Sequence, residues 1–128
     1  MKTIKVVAAI ILDNNKVLAT QRATGDFEGG WEFPGGKIEP GEEPKEALIR
    51  EIREELNADI KVREHLCTID YTYPTFHLIM DCYVCSLKGK FELLEHKDAK
   101  WVDEANIDSL DWLPADIPII KEIKKKLF

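Results

Sequence analysis

Residues 36–57 read GKIEPGEEPKEALIREIREELN, and the apolar spacing inside this stretch predicts an amphipathic helix over 44–56. The bulky apolar positions recur every four residues, which places them on one helix face, at Leu48, Ile52 and Leu56. Pro44 suits the first helical turn, because the N–H that proline lacks would have no helical partner there. Asn57 directly follows the last apolar position, and asparagine is an acceptable residue for ending a helix.

Three glutamates of the predicted helix share one part of its circumference, at Glu51, Glu54 and Glu55. Carboxylates this close together repel each other by ~0.2–0.5 kcal/mol per exposed pair. A hard cation such as Mg²⁺ removes the repulsion and prefers oxygen ligands. The helix alone leaves two interpretations open: a metal site, or a solvated face with ordinary ion pairs such as Glu46–Arg50.

The residues before the helix favour the metal site. Gly35 and Gly36 supply backbone that can approach a ligand closely. From there the acids follow at fixed offsets, as Gly36-x5-Glu42-x7-Arg50-Glu51-Ile52-x-Glu54-Glu55.

This spacing resembles the signature of the Nudix hydrolases, G-x5-E-x7-R-E-U-x-E-E-x-G-U, in which U is a bulky apolar residue. Eight of the nine defined positions match in type, with the small apolar Ala58 at the final U. Asn57 replaces the last glycine of the signature. Asparagine tolerates the left-handed conformation better than other residues with a β-carbon, so we expect little effect on activity.

The resemblance extends over nearly the whole chain and is nearest to the MutT-type subgroup, because residues 31–39 (WEFPGGKIE) are similar to that subgroup's loop. It implies a site for Mg²⁺, or alternatively Mn²⁺. The implied metal-site residues are Glu54 and Glu55 as ligands, Glu51 as a ligand or water-positioning base, and the carbonyl of Gly35 or Gly36. Arg50 would orient the glutamates, and Glu42 would support the loop.

Glu95, which precedes His96, matches a further acid that is usual in this subgroup. The resemblance implies that Glu95 is a metal ligand or a base. From the sequence alone, an ordinary exposed loop glutamate is the alternative.

The resemblance also implies a substrate site. Lys37 and Arg22 are the basic groups available to the phosphates. Residues 113–118 (LPADIP) resemble relatives that act on CTP, dCTP and modified cytosine nucleotides, in which the position of Asp116 contacts the base. Asp116 would contact the base as well as cap the last helix, or would only cap it. Aromatic rings can stack on any base, so the predicted base pocket contains Phe33, Tyr73, Phe76 and His77; plain packing is the alternative for each.

The implied activity is hydrolysis of a nucleoside triphosphate to a monophosphate and pyrophosphate, by water attack at the β-phosphorus. The expected substrates are 8-oxo-dGTP, CTP or dCTP-type and modified-base nucleotides, which the enzyme would remove from the nucleotide pool. Two alternatives are a hydrolase of ADP-ribose or dinucleoside polyphosphates and a non-catalytic nucleotide sensor. The short chain disfavours the first alternative, and the three intact glutamates disfavour the second.

Length and charge exclude several other classes. The 128 residues fit one domain, 1–128, and the net charge of −6 disfavours binding of a nucleic-acid polymer. No apolar run approaches the ~18 residues that span a bilayer, and the first apolar stretch ends at Asp13. We therefore expect a cytoplasmic protein, monomeric or homodimeric, without a membrane partner.

The remaining pattern predicts a mixed sheet between helices, an α/β/α sandwich of the α+β class. Expected strands cover residues 4–12, 16–21, 31–33, 59–70, 76–87 and 100–102, and further helices cover 103–110 and 116–127. The segment 34–36 (PGG) is expected to stop any strand.

Three cysteines give no disulfide framework. Cys82 and Cys85 form a C-x-x-C, but residues three apart on a strand point to opposite faces. No second cysteine pair or histidine cluster completes a zinc site, so we expect buried, inert thiols.

Overall fold

The computed structural model describes residues 1–128 and contains seven strands and two helices. The strands are β1 (Lys2–Asp13), β2 (Lys16–Gln21), β3 (Trp31–Glu32), β4 (Gly35–Lys37), β5 (Asp59–Thr72), β6 (Phe76–Lys88) and β7 (Asp98–Val102). The helices are α1 (Pro44–Leu56) and α2 (Ile117–Lys126).

The strands form a mixed sheet with β1 at its centre. The strand order is β3-β2-β1-β6-β5, with β4 paired to β1 and β7 paired to β2. The β1–β6 pair is parallel, whereas all the other strand pairs are antiparallel. A central strand buried on both faces explains why residues 6–12 read as a continuous apolar run.

Each helix covers one face of this sheet. Alternate residues of β1 point to opposite faces, so Val7 and Ile11 pack with α1 whereas Ala8 and Ile10 pack on the side of α2. The buried residues of α1 are Ala47, Leu48, Ile52 and Leu56, and those of α2 are Ile119, Ile120 and Ile123. The expected mixed sheet between helices is therefore confirmed.

The predicted ends of α1 are correct. Pro44 is its first residue, and Glu46 accepts a hydrogen bond at 3.0 Å from the backbone N–H of Glu43. At the other end Asn57 is left-handed, with φ of 46°, and its N–H donates to the carbonyl of Arg53 at 3.0 Å. The Asn57 side chain also donates to Glu92 at 2.6 Å, which attaches the segment 91–95 to this helix end.

The predicted helix over 103–110 is wrong, because only Ile107–Ser109 form a short 3-10 helix. Side chains in this segment bind its own backbone. Asp103 accepts from the N–H of Ala105 at 3.0 Å, and Asn106 accepts from the N–H of Asp103 at 2.7 Å. Such local bonds compete with the hydrogen bonds of a helix.

The predicted stop at residues 34–36 holds for β3, which ends at Glu32, but a further strand that was not predicted begins at Gly35. Gly35, Gly36 and Lys37 form β4 and pair with residues 6–8 of β1. The pairing needs glycine at position 35, because a β-carbon there would lie 1.9 Å from the carbonyl oxygen of Val7.

Neither helix combines the length and the apolar content that crossing a membrane would require.

The cap of α1 gives a stability test at Asn57. Asn57→Ala is expected to lower the free energy of unfolding by about 1–2 kcal/mol, because alanine tolerates positive φ less well and loses the bond to Glu92. Asn57→Gly is the matched control: glycine adopts this conformation freely, so it loses only the side-chain bond. Urea unfolding measures both variants. Equal losses in the two would mean that the left-handed backbone is not the cause.

Candidate active site

Arg50 lies at the centre of the acidic side of α1. Its guanidinium donates to both carboxylate oxygens of Glu42, at 2.7 and 3.0 Å. It also donates to Glu51 at 3.0 Å, to Glu54 at 3.2 Å and to the carbonyl oxygen of Lys37 at 3.0 Å. One side chain thus connects the helix, the loop before it and β4.

Glu55 and Glu51 pack against the two glycines of β4. The Glu55 carboxylate accepts a hydrogen bond from the N–H of Gly35 at 3.0 Å. A β-carbon at Gly36 would lie 2.4 Å from the carboxylate of Glu51, so only glycine leaves room for it.

Burial, and after it the nearby negative charges, raises the pKa values of two glutamates on this face. Burial raises the pKa of Glu55 to about 8, and the nearby Glu51, Glu32 and Glu95 add to the shift. Burial also raises the pKa of Glu51, helped by Glu54 and Glu95 and opposed by Arg50. The fold therefore stores like-charge repulsion here that a cation would relieve.

Glu95 lies close to the glutamates of α1, although it belongs to the segment before β7. The N–H of Glu92 donates to the carbonyl of Leu56 at 2.8 Å, and the N–H of Leu94 donates to the carbonyl of Glu55 at 3.0 Å. These bonds attach the segment to the end of α1. Glu95 and Glu55 then line one polar cleft.

An apolar pocket opens beside the acidic face, on the side of the sheet that packs with α2. Its wall includes three of the predicted base-pocket aromatics: Phe33, Tyr73 and Phe76. Tyr73 stacks on Phe76 with ring centroids 4.9 Å apart, and its hydroxyl accepts from the N–H of Ala115 at 3.1 Å. Phe33 stacks on Trp112 at 4.7 Å.

Asp116 is a buried acid in the wall of this pocket, with only 5% of its surface exposed. One carboxylate oxygen accepts from the N–H of Phe33 at 3.0 Å. Asp116 precedes α2, but its side chain makes no cap hydrogen bond, so the predicted side-chain cap is wrong. The carboxylate instead binds the backbone N–H of Phe33. Burial raises the pKa of Asp116 to about 8.

Comparisons with known proteins match this architecture. A family model described as the NUDIX domain matches residues 2–123. The chain belongs to the Nudix family. The CTP pyrophosphohydrolase of Escherichia coli (strain K12) is 38% identical over 124 residues, covering 94% of this chain and 91% of that protein. The 8-oxo-dGTP diphosphatase of Proteus vulgaris is 37% identical over 98 residues, covering 75% of this chain and 87% of that protein.

A solved structure supports the same assignment. The solution structure of the E. coli ORF135 protein superimposes with a TM-score of 0.87 at 33% identity, covering 98% of this chain and 91% of that one. The resemblance to Nudix hydrolases and the predicted fold class are confirmed, and the chain is a Nudix hydrolase.

The acidic residues of this Nudix site fit a divalent cation in their chemistry. The side chains available to a cation, those of Glu51, Glu54, Glu55 and Glu95, are all carboxylates, and hard cations prefer oxygen ligands. Burial raises the pKa values of Glu51 and Glu55, and neighbouring carboxylates add to both shifts, so a cation here would stabilise the ionised forms. No three acidic, histidine or cysteine side chains are already arranged around one point, since Arg50 holds Glu51 and Glu54 while Gly35 holds Glu55.

Two residues of the Nudix site were missed by the sequence analysis: Glu32 and His96. Glu32 accepts from Arg22 through both oxygens, at 2.8 and 3.2 Å. The Nε2 of His96 lies 3.7 Å from Glu32 and 3.9 Å from Glu55, in a side chain only 6% exposed. Burial would raise the pKa of Glu32, but His96 and Arg22 hold it below its usual range.

One predicted substrate residue, His77, lies elsewhere. His77 follows Phe76 on β6 and therefore points to the opposite face, where it bonds Asp70 and Thr3, so it does not line the base pocket. Lys37 is exposed on β4. Arg22, in contrast, lines both the apolar pocket and the cleft of Glu55 and Glu95.

The buried acid gives a pH-dependent stability test. Unfolded aspartate titrates near ~3.9, whereas folded Asp116 titrates at about 8, so between these values only the folded state keeps the proton. Stability from this group is present at low pH and is lost as pH rises, by up to about 1.4 kcal/mol per unit. Asp116→Asn removes this titration.

We expect Asp116→Asn to gain stability relative to the native chain as pH rises from about 4 to about 8. Urea unfolding across this range measures the difference. A difference that stays constant with pH would contradict the raised pKa of Asp116.

Proposed function

We propose that this Nudix hydrolase converts nucleoside triphosphates to monophosphates and pyrophosphate, with Mg²⁺ or Mn²⁺ as cofactor. One observation carries the proposal: the apolar pocket and the acidic face form a continuous surface. Gly35 and Gly36 line the pocket that contains Phe33 and Asp116, and they also touch Glu55 and Glu51. A base in the pocket would therefore direct its phosphates toward the glutamates.

The residues that would hold the cation are Glu51, Glu54, Glu55 and Glu95, with the carbonyl of Gly35 or Gly36. When bound, a divalent cation neutralises phosphate charge and lowers the pKa of the attacking water. Arg50 keeps Glu51 and Glu54 in place through charge-assisted hydrogen bonds. Glu51 or Glu95 would accept the proton of the water. Arg22 and Lys37 would supply positive charge to the phosphates.

The base preference follows from Asp116. With its pKa raised to about 8, the carboxyl is largely neutral at pH 7 and both donates and accepts a hydrogen bond. Cytosine presents an amino donor beside a ring-nitrogen acceptor, which suits the neutral acid. The ionised form only accepts, which suits the N–H groups of 8-oxoguanine.

We therefore propose CTP or dCTP-type nucleotides, 8-oxo-dGTP and related modified bases as substrates. Relatives named for CTP and for 8-oxo-dGTP support this range. The enzyme would act as a monomer or homodimer in the cytoplasm, removing unwanted triphosphates from the nucleotide pool.

A substrate panel tests the proposal. Normal, oxidised and methylated triphosphates, ADP-ribose and a dinucleoside polyphosphate are each incubated with the enzyme and Mg²⁺, and release of pyrophosphate is measured against orthophosphate. Pyrophosphate from triphosphates supports the proposal. Preferred cleavage of ADP-ribose or the dinucleotide, or no hydrolysis of any compound, would overturn it.

Glu55 tests the metal site. Glu55→Gln is expected to lower kcat by at least ~100-fold, because an anionic ligand is lost. The fold should persist, since a neutral amide avoids the cost of burying a charge and the repulsion from nearby carboxylates that together raise the pKa of Glu55. Circular dichroism checks the fold, and the exposed Glu64→Gln is the control. An active Glu55→Gln enzyme would reject Glu55 as a ligand.

Asp116 tests the base pocket. Asp116→Asn keeps an acceptor for the N–H of Phe33 but changes the group offered to the base. We expect the ratio of kcat/KM for CTP over 8-oxo-dGTP to change about tenfold or more, with hydrolysis itself retained. Asp116→Ala should also alter the preference, and the exposed Asp111→Asn should not. An equal loss of kcat/KM for every nucleotide would mean that Asp116 does not contact the base and has only the structural role of binding Phe33.

A further inference from the structure

Cys67 and Cys82 lie directly opposite each other on β5 and β6. Directly opposed residues of antiparallel strands have Cα atoms about 4.5 or 5.5 Å apart, depending on the pair type. Both separations fall within the roughly 4.4–6.8 Å that a disulfide spans. The backbone therefore needs no large movement for the two sulfurs to bond.

A bulge in β5 creates this pairing. The register shifts between His65 and Cys67, so that the next pair after His65–Tyr83 is Cys67–Cys82. Without the extra residue, Leu66 would face Cys82. Both cysteines lie on the α2 side of the sheet, where Cys82 belongs to the core and Cys67 packs against it. The Cys82 thiol donates to the backbone carbonyl of Met80 at 4.0 Å, so no other side chain holds it away from Cys67.

The two thiols differ in access and acidity. Cys82 is fully buried, whereas Cys67 is half-buried on β5, at the end of the sheet. The neighbouring Cys82 thiol lowers the pKa of Cys67, against the effect of burial. Lys126 lowers it further, while Glu122 opposes this. The neighbouring Cys67 thiol and burial raise the pKa of Cys82. Cys67 is thus the thiol that an oxidant meets first.

We propose that Cys67 and Cys82 form a reversible intramolecular disulfide when the protein meets a hydroperoxide. Cys67 first gives its thiol proton to solvent, and its thiolate then attacks one oxygen of H₂O₂. The O–O bond breaks, a sulfenic acid forms on Cys67, and the departing hydroxide takes up a proton from solvent to leave as water. The Cys82 sulfur then attacks the sulfur of Cys67. The S–O bond breaks, the Cys82 proton leaves with the hydroxide as a second water, and the two thiols have lost two electrons to the peroxide.

The bond would close a loop that contains part of the base pocket. Residues 68–81 lie between the two cysteines and include Tyr73 and Phe76. Restricting this hairpin in the unfolded chain stabilises the folded state. The C-x-x-C of the sequence does not compete for Cys82, because Cys85 belongs to the core on the opposite face.

Mass spectrometry of the full chain tests the proposal. The reduced protein is treated with H₂O₂, and free thiols are blocked with an alkylating agent. We expect a loss of about 2 Da before blocking, one alkylated cysteine where reduced protein has three, and a peptide linking Cys67 to Cys82. Dithiothreitol should reverse all three changes, and oxidation should raise the Tm by about 5 °C or more.

Cysteine variants provide the controls, each checked for folding by circular dichroism. Cys85→Ala should still lose about 2 Da. Cys67→Ser should show no loss of 2 Da, because the two remaining cysteines, Cys82 and Cys85, lie on opposite faces of the sheet and cannot bond. Cys82→Ala should gain oxygen at Cys67 instead.

Three outcomes would overturn the proposal: addition of oxygen to the native chain without a link, a link to Cys85, or a covalent dimer through Cys67. If a variant fails to fold, the peptide map of the native chain still tests whether Cys67 is linked to Cys82. No nucleotide enters the experiment, so its outcome is independent of the substrate.

Discussion

The hydrogen bonds of Arg50 hold the carboxylates on the acidic side of α1 in fixed positions. Its guanidinium is a planar fork with several donors, which suits simultaneous contact with Glu42, Glu51 and Glu54. Because it also binds the carbonyl of Lys37, the helix is fixed relative to β4. The glycines of β4 then allow the backbone to lie directly against Glu51 and Glu55. Burial, with added repulsion from nearby carboxylates, raises the pKa of Glu55 at the place where substrate phosphates are proposed to lie.

Local rules predicted the parts of the fold that depend on neighbouring residues. The four-residue apolar spacing gave α1 its buried face, and Pro44 and Asn57 gave its two ends. The same spacing placed the glutamates on one side of the helix, where Arg50 now holds two of them. The apolar run of residues 6–12 was consistent with a strand buried on both faces.

Features that depend on distant residues were not predictable in the same way. The strand at Gly35 forms because Val7 comes within contact distance of a residue without a β-carbon. The bond from Phe33 to Asp116 joins residues 83 apart, and the pairing of Cys67 with Cys82 requires a bulge that no pattern marks. The 3-10 turn near Asp103 replaced a predicted helix for a local reason, since asparagine and aspartate side chains compete for backbone groups.

The parallel pairing of β1 with β6 has a consequence for how the chain acquires its structure. The paired residues, such as Thr3 and His77, are separated by more than half of the sequence. Contacts of such long range pay the entropy of closing a large loop before they gain any stability, which slows folding. During synthesis the first strand can form its hairpin with β2 early, but its other edge stays open until β6 has emerged. An apolar strand edge exposed for that interval is a site where a nascent chain can associate wrongly with another.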